Sequence, residues 1–144
     1  MKVERTVDIA APPRAVYEVV MDPTRLGDWV TIHERLEDAP KGQLKRGSTL
    51  TQYLRLAGRR FKVRWTVAEN DPCKRVVWDG RGPARSHARV VYKFSENGRG
   101  TRFSYMNQYD LPGGVFGRMA GRAVSRVTEK EADGSLRKLK SLLE

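Results

Sequence analysis

Apolar and polar residues alternate from Lys2 to Ala10. Val3, Arg5, Val7 and Ile9 fall on one side and Glu4, Thr6 and Asp8 on the other, the period of a half-buried strand. Pro12-Pro13 ends that period, and Val16, Tyr17, Val19 and Val20 then form an apolar helical stripe that stops at Asp22-Pro23, as prolines in a first turn and after a last turn predict. Thr24 to Trp29 fits one or two more turns, with Thr24 as the expected cap and Leu26 and Trp29 turned inward. From Ile32 the alternation returns, broken by Lys41-Gly42, Gly58, Asn70-Asp71-Pro72, Gly80 to Pro83 and Asn97 to Gly100. These turn signals mark strands over 32–39, 48–57, 60–69, 75–80, 84–95 and 101–111, each neighbouring pair suited to a hairpin. Phe61, Val63, Trp65 and Val67 share one face of their strand while Lys62, Arg64 and Thr66 share the other, and Ala88, Val90, Tyr92 and Phe94 repeat the pattern. Such a sheet has one greasy side and one wet side.

Leu111-Pro112-Gly113-Gly114 interrupts the last strand, because proline removes a ladder donor and glycine opens positive φ. Beyond it Phe116, Met119, Ala120, Ala123, Val124, Val127, Ala132, Leu136, Leu139 and Leu143 recur at helical spacing to the C-terminus, with Gly134 as a candidate bend. The order is α+β: a strand, two short helices, about six more antiparallel strands and one long terminal helix. The greasy face must be covered, and the helix is the element available to cover it. A curved sheet of about seven strands gripping a helix with thin residues such as Ala120 and Ala123 leaves room for a cavity.

With 144 residues the chain is expected to form one domain, spanning 1–144, with a core of its own. Neither a repeat nor a linker-like stretch offers a second boundary. Cys73 is the sole cysteine, so no intrachain disulfide forms, and the absence of an apolar leader or of a long apolar run makes the cytoplasm the expected location. The net charge of +11, from 28 basic and 17 acidic residues, makes a polyanion a candidate partner. The basic residues, however, alternate with apolar ones, as in RRFKVRWTV and RKLKSLL, rather than cluster. That is the pattern of a solvated face, so a nucleic acid is not the expected partner.

Taken together, the stretches VDIAAPPRAVYEVVMDPTRLGDW, LKRGSTLTQYLRLAGRRFKVRWTVAENDPCKRVVWDG and GRGTRFSYMNQYDLPGG, leading into DGSLRKLKSLLE, resemble the START-like (SRPBCC) helix-grip superfamily, in its polyketide cyclase/dehydrase-like branch. The resemblance spans nearly the whole chain. It implies an antiparallel sheet around the C-terminal helix and a pocket for an apolar or aromatic molecule such as a polyketide, lipid, sterol or quinone. It does not imply one reaction, since cyclases, dehydratases, carriers and receptors share the fold. Three readings follow: a binding protein for a hydrophobic small molecule; an aromatase/cyclase or dehydratase, hence a lyase or isomerase; and an interaction protein of toxin-antitoxin type or a polyanion binder acting through its basic surface, alone or as a homodimer.

The expected lining is Trp29, Gln52, Phe61, Val63, Trp65, Val76, Trp78, Tyr92, Phe103, Tyr105 and Asn107 from the first helices and the sheet, with Phe116, Met119, Ala120 and Ala123 from the last helix. Aromatic stripes of this kind also fill ordinary cores. Gln52, Asn107 and the Tyr105 hydroxyl are the informative members, because polar atoms on an apolar wall need a partner. Tyr105, Asn107 and His33 are the candidates for proton transfer. His33 and His87 lie far apart with no second ligand at metal spacing, so no metal is expected, and no glycine pattern suits a dinucleotide cofactor. Ser86 and His87, as neighbours on a strand, point to opposite faces and are not expected to pair. Glu34, Glu37 and Glu129 read as surface ion-pair partners; Glu131, close to the helix stripe, is the exception to watch.

Overall fold

The computed structural model describes residues 1–110 and 121–144, with the backbone alone for 121 and 122. Strand β1 (Lys2–Ile9) leads into α1 (Pro13–Val20), a 3₁₀ turn (Pro23–Arg25) and α2 (Leu26–Trp29). There follow β2 (His33–Glu37), β3 (Thr49–Leu56), β4 (Arg59–Asp71), β5 (Arg75–Arg81), β6 (His87–Asn97) and β7 (Gly100–Asp110), then α3 (Gly121–Leu143). All seven strands join one antiparallel sheet in the order β1-β7-β6-β5-β4-β3-β2. This is the helix-grip arrangement: a curled sheet with its terminal helix and short helices on one face. The Leu111 to Gly114 break, Phe116, Met119 and Ala120 lie outside the described residues.

Two local details differ from the sequence reading. The cap before α2 is Asp22, whose Oδ1 accepts from the Thr24 backbone N–H at 3.0 Å and from its hydroxyl at 2.6 Å; a carboxylate two residues upstream reaches both donors, so Thr24 is capped rather than capping. Strand β6 starts at His87, not at Ala84, because Pro83–Arg85 forms a 3₁₀ turn in which Ala84 and Arg85 have φ of 54° and 61°, outside the extended region. Gly134 lies inside α3, where a Cβ would stand 3.2 Å from the Thr31 Cγ2; its missing side chain allows α3 to approach the segment after α2.

The face of the sheet that looks toward the helices carries Val63, Trp65, Val67, Trp78, Tyr92, Phe103 and Tyr105, all buried. Trp29, fully buried, meets Tyr92, Phe103 and Tyr105 edge-on with ring centroids 5.6–6.5 Å apart, a favourable geometry for aromatic quadrupoles. Val124, Ala132, Leu136 and Leu139 of α3 complete the core. Arg5 and Asp133 pair at 3.0 Å, and the Lys140 ammonium donates to the Asp8 carbonyl at 2.7 Å, tying α3 to β1. On the outer face Arg64 of β4 stands directly opposite Arg81 of β5. No helix among the described residues is long and apolar enough to cross a membrane.

Candidate functional site: a pocket between the sheet and the first helices

A pocket of about 100 Å³ opens between the inner face of β3–β7 and the segment around α2. That is of the order of the ~150 Å³ cavity known to take up benzene, and below the ~300 Å³ and upward of most drug-sized sites. Register shapes its wall. One cross-strand row of the inner face runs Trp65, Gly80, Ala88 and Tyr109, so two small residues lie between two large aromatic ones. The Trp65 indole fills the place a side chain at Gly80 would take: a Cβ there would lie 2.7 Å from the ring.

Of the expected lining, Gln52, Phe61, Val63, Trp65, Trp78, Tyr92, Tyr105 and Asn107 border the pocket. Trp29, Val76 and Phe103 do not; they are fully buried in the packed core beside it. Ala123 is half-buried and away from the lining, and no described residue of α3 borders the pocket. Among the described residues Leu26, Val30 and Ile32 also form the wall, with Leu50, Leu54 and Leu56 from β3. Ser86, His87, Ala88, Val90 and Tyr109 also border it. The Ser86 hydroxyl is committed to the Pro83 carbonyl at 2.6 Å, so it does not serve as a nucleophile paired with His87.

Two buried polar networks meet this space. In the first, the Trp65 Nε1–H donates to Gln52 Oε1 at 2.9 Å, and Gln52 Nε2 stands 2.9 Å from His33 Nδ1. Indole nitrogen is only a donor, so the amide orientation is fixed, and His33 Nδ1 must accept. The imidazole is therefore neutral with its proton on Nε2, and burial holds its pKa below the ordinary value.

The second network centres on Glu131, 3 % exposed. Its Oε1 accepts from the Tyr105 hydroxyl at 3.0 Å and the Ser135 hydroxyl at 2.9 Å, and its Oε2 accepts from Asn107 Nδ2 at 3.0 Å. Ser135 Oγ in turn accepts from the Thr31 backbone N–H at 3.1 Å. Burial pushes the Glu131 carboxyl up to about 6, opposed by its three donors. Burial, reinforced by the Glu131 charge, lifts the Tyr105 phenol well above its usual range and raises Tyr92 and Tyr109 as well, so these phenols stay protonated at neutral pH. Glu131 alone of this group can hold or release a proton there. Asn107 Oδ1 and the Trp78 Nε1–H, both on pocket residues, have no hydrogen-bond partner among the described residues.

The three candidates for proton transfer thus separate: Tyr105 and Asn107 share Glu131, whereas His33 belongs to the Gln52 network. Nearness to the apolar stripe is a weak mark for Glu131. A stronger signal is present: Thr128, Glu131 and Ser135 recur at helical spacing, and all three are buried, a polar line within an apolar face. No cluster of three or more His, Cys, Asp or Glu suited to a metal occurs among the described residues.

The comparisons with known proteins agree with this architecture. A protein of Mycobacterium tuberculosis, Uncharacterized protein Rv1546, is 25% identical over 140 residues, covering 97% of this chain and 96% of its own. Toxin Rv0910 of the same organism is 22% identical over 104 residues, 72% of each chain. The crystal structure of TTHA0849 from Thermus thermophilus superposes with a TM-score of 0.77 at 20% identity, covering 98% of this chain and 95% of that one, which establishes the shared fold. The family model described as polyketide cyclase / dehydrase and lipid transport matches residues 1–144, and the chain belongs to that family.

Proposed function

We propose that this protein binds a small, mainly apolar or aromatic molecule in the pocket between the sheet and α2, with Gln52, Asn107, Tyr105 and Trp78 orienting it. The observation that carries this reading is the combination of an apolar wall with unpaired polar atoms on two of its residues, Asn107 Oδ1 and Trp78 Nε1. Unpaired buried polar atoms cost roughly 1–3 kcal/mol each, a cost that a ligand offering a donor to one and an acceptor to the other removes. The family, with its cyclases, dehydrases and lipid carriers, supports a ligand-binding role. The volume argues for a ligand about the size of one ring rather than a multi-ring polyketide. Titration with monocyclic aromatic compounds, followed by tryptophan fluorescence and by the indole N–H resonances, tests the reading. Saturable binding that moves the Trp78 indole signal is expected; the absence of saturable binding by any such compound refutes it.

A second reading is favoured by one feature of the outer face, the direct opposition of Arg64 and Arg81. Like charges facing across a ladder are unfavourable, and Asp38, 3.9 Å from Arg64, offsets the pair only in part, so an acidic partner would dock on β4 and β5. Electrophoretic retardation of RNA and DNA over a range of salt concentrations tests this, with a steep loss of binding expected as salt rises.

A further inference from the structure

Glu131 is the buried acid for which the pocket reading has not yet found a use. The surface carboxylates Asp8, Glu34, Glu37 and Glu144 each pair with a lysine or arginine. Glu131 does not: among the described residues it has three neutral donors and no cation. In a chain with 28 basic residues, a buried carboxylate without a counter-charge is an exception, since buried charges are ordinarily paired or bound to a metal.

Its hydrogen bonds also determine what the pocket wall can offer. A carboxylate only accepts, so the Tyr105 O–H and one Asn107 N–H are turned toward it. What Tyr105 and Asn107 have left includes two acceptors, a phenol lone pair and the Asn107 Oδ1 that lacks a partner among the described residues, beside the second Asn107 N–H. Tyr92 and Tyr109 border the same space. A neutral apolar ligand leaves Asn107 Oδ1 unpaired and Glu131 uncompensated. A ligand carrying a protonated nitrogen satisfies the first, neutralises the second through Tyr105 and Asn107, and meets the aromatic faces of Trp78 and Tyr92, which attract cations.

We propose that the polar end of the pocket, where Asn107 Oδ1 lacks a partner and Tyr105 leans on the unpaired Glu131 carboxylate, receives the protonated nitrogen of a small aromatic amine. The inference rests on the reading of the pocket as a ligand site and adds the charge of the ligand to it. The pocket volume suits one ring bearing a short amine. Trp78, in the same cross-strand row as Asn107 with Val90 between them, keeps an N–H for an acceptor elsewhere on the ligand. Glu131 acts as a positioning and charge-balancing residue, since Tyr105 and Asn107, not Glu131, border the space.

The test compares phenethylamine with 2-phenylethanol, near-isosteres that differ in charge, by calorimetry at about pH 7.5. The amine is expected to bind roughly tenfold or more tightly than the alcohol, and Glu131→Gln is expected to bring the two within about twofold of each other. Equal or tighter binding of the alcohol to the unaltered protein overturns the amine proposal and leaves the pocket reading standing; saturable binding of neither overturns both. Should Glu131→Gln not fold, calorimetry of the unaltered protein in two buffers of different ionisation enthalpy decides: no net proton exchange is expected when a charged amine enters beside an ionised Glu131, whereas release of about one proton per amine overturns the proposal.

Discussion

Asn107 and Glu131 face each other across the seam between β7 and α3, amide nitrogen to carboxylate oxygen at 3.0 Å. This contact settles the orientation of the amide, because the carboxylate accepts only, and it leaves Asn107 Oδ1 buried without a partner among the described residues. A different side chain at 131 therefore changes what Asn107 presents to the pocket, although it does not border the pocket itself.

Glu131→Gln is expected to stabilise the fold near pH 7.5. Burial raises the carboxyl from 4.5 to about 6, so the native state binds its proton more tightly than the unfolded chain does. The stability that the protonated form contributes is complete below about pH 4.5 and is lost as pH rises through about 6. The difference corresponds to about 2 kcal/mol. Urea denaturation of both proteins at about pH 4.5 and 7.5 should show the variant ahead by up to that amount at the higher pH and level at the lower. A variant that is less stable by a similar amount at the higher pH contradicts the assignment of a net burial cost. A gain would mean that the native acid is retained at the expense of stability, as functional groups often are.

Gln52→Glu should reverse the behaviour of His33. With Gln52, the imidazole accepts at Nδ1 and titrates below 6.5; its contribution to stability is present above that value and lost as pH falls through the depressed pKa. A carboxylate in the same place favours the imidazolium instead and can still accept from the Trp65 indole. Proton NMR of the His33 ring should place its titration below 6.5 in the original protein and above it in the variant. Titration at the same pH in both would mean that Gln52 does not govern the ring.

Gly80→Ala should displace Trp65. The added methyl would lie 2.7 Å from the indole, inside van der Waals contact, and the ring is held by its bond to Gln52. Overpacking of this kind costs about 1–3 kcal/mol, and the pocket that Trp65 borders is the space into which the ring can yield. A shift in tryptophan emission together with a lower melting temperature is expected; an unchanged melting temperature would show that the sheet absorbs the methyl.

Arg81→Glu should stabilise the outer face, since it puts an acid opposite Arg64. The gain expected for replacing a like-charge cross-strand pair is about 0.2–1 kcal/mol, measurable as a shift in urea midpoint that shrinks with added salt. A loss of stability would mean that Arg81 has a favourable partner in solution.

The sheet is readable in advance because its period of two is written residue by residue: the strand containing Phe61, Val63, Trp65 and Val67 announces both its conformation and its buried face. Turn chemistry is readable where glycine supplies it. It misleads at Ala84 and Arg85, which take left-handed backbone without being glycine or asparagine, and at Thr24, where the competing cap Asp22 stands two residues earlier. The site is legible in part, because alternation orders residues by face but not by depth. Val76 and Phe103 are buried strand residues like Trp65 and Trp78, yet they fill the core beside the pocket rather than line it. Which residues stand side by side, as Gly80 and Ala88 do between Trp65 and Tyr109, is set by register, and register is a property of the whole sheet that no single strand encodes.

The sheet order has a further consequence, for how the protein comes into being. Among the described residues strand β1 pairs only with β7, and the backbone of Met1 bonds to that of Tyr109, 108 residues away. During synthesis β1 therefore has no ladder to join until all the other strands have been made, a wait of several seconds at roughly 5–20 residues per second. Closure of so large a loop comes late and slowly. The nascent chain must carry an exposed, alternating strand throughout that interval, and the charges at Glu4 and Asp8 discourage it from pairing with the wrong partner.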